Sequence, residues 1–245
     1  MKKQKTFEAA LREDVIPELH TRHQYFSINA VRAELARQRI RFDRNTLKQY
    51  MARLQKDGSI HDAGRGWYTF IKEPFQLDPE PTSELVQLLE RKYPLLDCAC
   101  WSTAQVKHYT HQTLAKFISF VYVEKHNRSA VFETLRDAGF NAYLDPSKAE
   151  AERTFSIRDK TVVVRPSIAG QPVKGKSATI EKILVDLYAE CGALPMMDIA
   201  EYRRMFSNLV SKRRIMVSAM AMYAERRKIC MSDLFEKGEY TISAY

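Results

Sequence analysis

The sequence predicts an α/β (α+β) protein of two domains: an N-terminal winged helix-turn-helix, then a small α/β domain ending in a helical bundle. Three observations predict it. Residues 26–71, FSINAVRAELARQRIRFDRNTLKQYMARLQKDGSIHDAGRGWYTFI, pass through two stretches of helical periodicity and then change to strand character. The following KEPFQLDPEP carries Pro74, Pro79 and Pro81, through which neither a helix nor a central strand continues. Beyond it, short apolar runs alternate with helical patterns until everything past residue 177 reads as helix. The domains are therefore drawn at 1–72 and 82–245, with a linker at 73–81.

Residues 6–20 supply a first helix, with Phe7, Leu11, Val15 and Leu19 spaced by four and Pro17 placed to kink or end it. Ser27 is a candidate N-cap before Ile28, Val31 and Leu35. Asp43 or Asn45 caps a second helix, whose Leu47, Tyr50, Met51 and Leu54 form one apolar stripe. After Gly58, Ser59–Asp62 and Gly66–Ile71 read as two strands around Ala-Gly-Arg-Gly, a hairpin turn with Arg65 at its tip. Helix, helix, hairpin is the order of a winged helix-turn-helix.

Opposite the apolar stripe of the second helix lie Asn45, Gln49, Ala52, Arg53 and Lys56, with Arg44, Thr46 and Lys48 on its first turn and flank. A recognition helix presents such residues to the major groove: Asn and Gln pair bidentately with adenine, Arg or Lys with guanine, and further cations hold phosphate. Asn45, Thr46, Lys48 and Gln49 are the base-reading set, Arg44, Arg53 and Lys56 the phosphate set, and Arg65 the wing contact. The partner expected is double-stranded DNA. Charge agrees, because residues 1–72 hold 15 Lys+Arg against 8 Asp+Glu, a net of +7 out of +9 for the chain.

In the second domain, Thr82 or Ser83 starts a helix through Leu85, Leu88 and Leu89. LLDCACW (95–101) reads as a strand and Ser102–Thr110 as a short capped helix. FISFVYVE (117–124) is continuously apolar, the pattern of a central strand. Ser129 is read as the cap of a helix through Val131, Phe132 and Leu135 that ends at Gly139. Asn141–Leu144 and Thr161–Arg165 are strands separated by a polar stretch. Helices follow at Thr179–Cys191, from an Asp198/Glu201 cap to Val210, and at Ile215–Arg227, bearing Ala219, Met222 and Tyr223.

Several patterns invite a chemical reading and fall short of it. Gly170-Gln-Pro-Val-Lys-Gly175-Lys176-Ser177 fits the P-loop pattern, yet Pro172 removes an amide donor and only helices follow. Cys98-x-Cys100 with His108 and His111, or His20 with His23, lacks the knuckle spacing of a zinc site. Asp97, Glu124 and Lys125 lie at strand ends, but adjacent residues point to opposite faces, which is poor geometry for a nuclease metal. No catalytic, cofactor or metal site is expected, so the chain is read as a non-enzyme. A winged-helix-targeted nuclease or nucleotide-dependent enzyme is the alternative. The basic groups at 203–204, 212–214 and 226–228 read as solvated charge or as a second electropositive surface. No apolar run approaches the roughly 18 residues that span a bilayer. No secretory h-region follows the basic N-terminus, and four cysteines make no disulfide framework, so the expected location is the cytoplasm.

The wing GSIHDAGRGWYTF, with Gly58, Gly64, Arg65, Gly66, Trp67 and Tyr68, and the later ATIEKILVDLY, Glu181 to Leu187 at its centre, resemble the AbiEi-type antitoxins of bacterial type IV toxin–antitoxin systems. The resemblance implies an N-terminal module that binds an operator and represses its own operon. It implies a C-terminal domain that counteracts a nucleotidyltransferase toxin without requiring a stable complex with it.

Overall fold

The computed structural model describes residues 5–110 and 116–235, a mixed α/β chain in two compact units. Of these residues, one unit takes those up to Phe75, Val210–Ala219 and Phe235; the other takes Gln76–Leu209 and Met220–Leu234. Val210–Ala219, which the sequence assigns to the second domain, thus groups with the first unit.

In the first unit, α1 (Phe7–Ala10) and α2 (Ile16–Arg22) are joined by a π turn, Leu11–Val15, in which the Ile16 N–H reaches back five residues to Leu11. Pro17 lacks an N–H and its ring crowds the preceding turn, and the wider turn takes up the kink predicted there. Ser27 caps α3 (Ile28–Arg37), its Oγ accepting from the Ala30 N–H at 3.1 Å. Then come α4 (Arg44–Lys56), β2 (His61–Asp62) and β3 (Trp67–Thr69). A strand the sequence does not announce, β1 (Tyr25–Ser27), pairs antiparallel with β3, giving a sheet of order β1-β3-β2. Three residues, one of them a helix cap, are too few to display alternation. Leu11, Val15, Leu19, Phe26, Val31, Leu35, Leu47, Met51, Leu54 and Ile60 form the core of this unit.

Val210–Ala219 is tied to the sheet and to the segment after it by hydrogen bonds. The buried Tyr25 hydroxyl donates to the Arg213 carbonyl (2.9 Å) and accepts from the Ile215 N–H (3.2 Å). Arg214 N–H donates to Glu73 (2.7 Å), and Phe75 N–H to Arg214 (2.9 Å). Ser218 N–H reaches the Ala63 carbonyl at 3.3 Å, and a Cβ on Gly64 would lie 2.0 Å from Ser218 Oγ. Gly64 (φ +99°) is therefore held to glycine by close approach as well as by conformation.

The second unit is built on a sheet of order β6-β7-β5-β4-β9-β8 among the described residues. β5 (Ile118–Val123), β6 (Asn141–Leu144) and β7 (Thr161–Pro166) run parallel, and β4 (Cys98–Ser102) is antiparallel to β5. β5 lies inside the sheet with only Ser119 short of full burial, as its apolar run predicts. α5 (Ser83–Lys92) and α6 (Arg128–Asp137) pack Leu85, Leu88, Leu89, Val131 and Leu135 over one face. Ser129 does not cap α6: a 3-10 turn, Lys125–Asn127, leads into it, and Ser129 falls within its first turn. Its end is as expected, with Gly139 (φ +84°) donating to Arg136 and Phe140 to Leu135. The polar stretch after β6 contains an unanticipated helix, α7 (Lys148–Thr154), held by a reciprocal Ser147/Glu150 capping box.

α8 (Ile180–Cys191) is buried around most of its circumference and takes four charged residues inside with it: Glu181, Lys182, Asp186 and Glu190. Lys182 Nζ donates to Asp186 and to the Tyr223 hydroxyl, both at 2.7 Å, and lies 3.8 Å over the Tyr122 ring. Tyr223 donates to Asp186 at 2.8 Å, and Arg227 pairs with the same carboxylate. Burial pushes the Lys182 amine down to about 8. α9 (Ile199–Lys212), capped by Asp198 through the Glu201 N–H at 2.7 Å, and α10 (Val217–Arg226) follow, and each carries residues of both units. α10 buries Tyr223 but leaves Met222 56% exposed. α11 (Met231–Leu234) ends the described chain.

Among the described residues Asp186 is the carboxylate that Lys182 and Arg227 share, so Asp186→Asn is expected to cost about 3–5 kcal/mol. Lys182→Met leaves Asp186 with Arg227 and Tyr223 and should cost less than half as much. Urea denaturation of both variants checks the order.

Candidate nucleic-acid interface

α4 starts because Asp43 satisfies its first amides: one carboxylate oxygen accepts from the N–H groups of Asn45 (2.8 Å) and Thr46 (3.0 Å). These bonds, Thr46's first, hold the Asp43 carboxyl below the usual carboxylate range. The helix stops at Gly58 (φ +77°), whose N–H returns to Gln55 while Ser59 N–H returns to Leu54. Leu47, Met51 and Leu54 are buried and Tyr50 half-buried. At 3.6 residues per turn that burial directs Asn45, Gln49, Ala52, Arg53 and Lys56 outward, and all five are exposed, as are Arg44 and Lys48.

The eight residues singled out in the sequence do not stand alike. The side chains of Arg44, Asn45, Lys48, Gln49, Lys56 and Arg65 have no hydrogen-bond or ion-pair partner among the described residues. Arg53 is preset: its guanidinium lies 4.9 Å over the Tyr50 ring and 3.8 Å from Glu8. Thr46 is half-buried, and its hydroxyl sits 3.4 Å from the capping oxygen of Asp43, so it belongs to the cap more than to the outer face. Arg65 is exposed at the turn between Gly64 and Gly66 (φ +73°), which is closed by Ala63 N–H to Trp67 (3.0 Å) and Trp67 N–H to Gly64 (2.8 Å).

The P-loop match folds into something else. Gly175 (φ +59°) and Lys176 are the two-residue turn of a hairpin between β8 (Val173–Lys174) and β9 (Ser177–Ala178). Lys176 Nζ donates to the Leu96 carbonyl, and Ser177 pairs in the sheet beside Cys100. Helix α8 begins only at Ile180, so no phosphate cradle opens onto its first turn. Cys98 and Cys100 are buried, and His111 lies outside the described residues. Among the described residues no group of three or more His, Cys, Asp or Glu gathers around a metal-sized position. Glu124 pairs with His126 at 3.2 Å.

The basic groups near the C-terminus divide. Arg204 pairs with Glu201 at 3.1 Å, Arg226 donates to the Ala169 and Gly170 carbonyls at 3.1 and 2.7 Å, and Arg227 is drawn inside onto Asp186. The ion pairs around α8 are what sequence reasoning missed. Their one signal is Lys182 and Asp186, four residues apart in a helix otherwise apolar enough to be buried.

Asp43→Ala should remove about 1 kcal/mol of stability by freeing two first-turn amides, read as a lower urea midpoint at unchanged slope; an unmoved midpoint would contradict the cap.

No curated protein matches the chain. A family model does, over residues 46–234. That span covers most of the sequence, and the protein belongs to the family described as "Family of unknown function (DUF6577)".

Proposed function

We propose that this protein is a DNA-binding transcriptional regulator that acts in the cytoplasm as the antitoxin of a type IV toxin–antitoxin system. In this reading residues 1–72 are a winged helix-turn-helix, α4 is the recognition helix and the Arg65 turn is the wing. The observation that carries it is the outer face of α4, where two amides and several cations stand exposed, most of them without a side-chain partner among the described residues. The order α3, α4, hairpin and the three-stranded antiparallel sheet are what such a module requires. The concentration of charge in the first 72 residues supports the same partner.

Asn45, Lys48 and Gln49 read base edges, with Thr46 beside them. Arg44, Arg53 and Lys56 hold phosphates, and Arg65 reaches the backbone or the minor groove. Binding at the protein's own promoter occludes it, and the second domain counteracts a nucleotidyltransferase toxin without a stable complex. The antitoxin half rests on the resemblance of the wing and of Glu181–Leu187, and co-expression tests it: the chain should restore growth to cells expressing a nucleotidyltransferase toxin from the adjacent reading frame.

A gel shift on the DNA upstream of the gene tests the first half. Gln49→Ala and Asn45→Ala should each lower discrimination against random DNA by about 1–3 kcal/mol. Arg53→Ala and Arg65→Ala should weaken all duplexes alike. Equal loss on specific and random DNA for Gln49→Ala would refute its role as a base reader.

A further inference from the structure

A second feature lies wholly inside the other unit. Where β5, β6 and β7 end, a hollow of about 380 Å³ opens, lined by Tyr122, the turn after β6, the end of β7, the last turn of α8, and Arg227. The volume is within the range of small-molecule sites, and the carboxyl ends of parallel strands are where α/β sheets take ligands.

Its charge is not balanced. Arg165 is clamped by Glu190 (2.7 Å from its terminal nitrogen), by Asp145 (3.1 Å) and by the Pro146 carbonyl (2.8 Å). Arg128 takes the other oxygen of Asp145, and the Tyr122 hydroxyl donates to Glu190 at 3.0 Å. Both carboxylates on the lining are thus already held by guanidinium groups. Behind the wall, Asp186 is shared by Lys182 and Arg227. Lining and backing together hold five cations (Arg128, Lys148, Arg165, Lys182 and Arg227) against four carboxylates (Asp145, Glu150, Asp186 and Glu190), an excess of one positive charge. Glu150 folds back onto the N–H and hydroxyl of Ser147, at 2.8 and 2.6 Å, to cap α7.

We propose that this hollow binds a small organic phosphate of about nucleoside-monophosphate size. A phosphomonoester carries about −1.5 to −2 charges at neutral pH, which offsets the excess, and presents three strong acceptor oxygens to the donors around it. The donors left to meet it are the lining guanidinium of Arg227, the Lys148 ammonium and the Ser167 hydroxyl, the last two having no side-chain partner among the described residues. Pro146, Ile168 and Ala193 offer apolar surface to the organic part. The carboxylates fix Arg165 and Arg227 in place before any ligand arrives, which lowers the ordering cost of binding.

The test is calorimetric titration of the full chain with inorganic phosphate, the four nucleoside monophosphates and the matching uncharged nucleosides, with thermal melting alongside. At least one monophosphate should bind more tightly than phosphate and raise the melting temperature with concentration, while nucleosides do neither. Lys148→Gln and Ser167→Ala, both away from the buried pairs, should melt like the parent without ligand yet weaken that binding at least threefold. Arg227→Lys should weaken it tenfold or more. Absence of binding by every monophosphate at millimolar concentration, or unchanged affinity in both Lys148→Gln and Ser167→Ala, overturns the proposal.

Discussion

The burial of one stripe of α4 constrains everything proposed for the first unit. Leu47, Met51 and Leu54 are each at most 3% exposed. Removing three such side chains from water is worth about 5–9 kcal/mol as an upper estimate. A helix so anchored cannot rotate about its axis without exposing them. The direction of Asn45, Gln49 and Lys56 is therefore set from the inside, and the Asp43 cap and Gly58 stop set where the exposed face begins and ends. The hairpin is braced in a comparable way, since Gly64 sits against Ser218 and the Ala63 carbonyl accepts from the Ser218 N–H. A stretch far along the chain thereby supports the turn that displays Arg65.

The second unit obeys a different constraint. Its central helix is buried on most sides yet carries Lys182, Asp186 and Glu190, and bare charges there would be prohibitively costly. Tyr122, Arg165, Tyr223 and Arg227 are the answer, supplied by β5, β7, α10 and the residue just past it. These pairs join elements distant in sequence and hold an excess of positive charge beside a hollow. Such a network specifies partners by geometry, because any displacement leaves a charge without its counterpart.

Legibility in the sequence followed burial. α3, α4 and β5 were readable because each has one solvent regime: two amphipathic helices with capping residues and one strand enclosed on both sides. β1 was not, because its three residues merge with the Ser27 cap, and its pairing with β3 is a tertiary fact. α7 was legible in principle, since Ser147 and Glu150 spell a capping box, but the charged stretch around them reads first as a loop. Ser129 shows the reverse error, a good capping residue two positions too late. The outer face of α4 could be named from sequence alone, apart from the half-buried Thr46. The buried ion pairs could not, because a Lys and an Asp four apart look the same on a solvated helix and inside a core. Only the positions of Tyr122 and Tyr223 distinguish the two.

Fluorescence anisotropy tests the central claim, that the α4 face and the Arg65 turn form a DNA-binding surface. Affinity for a duplex from the protein's own upstream region and for a shuffled duplex is measured from about 50 to 200 mM salt. Four phosphate-contacting cations, Arg44, Arg53, Lys56 and Arg65, predict a log–log slope of about −3 to −4 on both duplexes, with tighter binding to the upstream one throughout. An affinity that does not change with salt, or no measurable binding at the lowest salt, would contradict it.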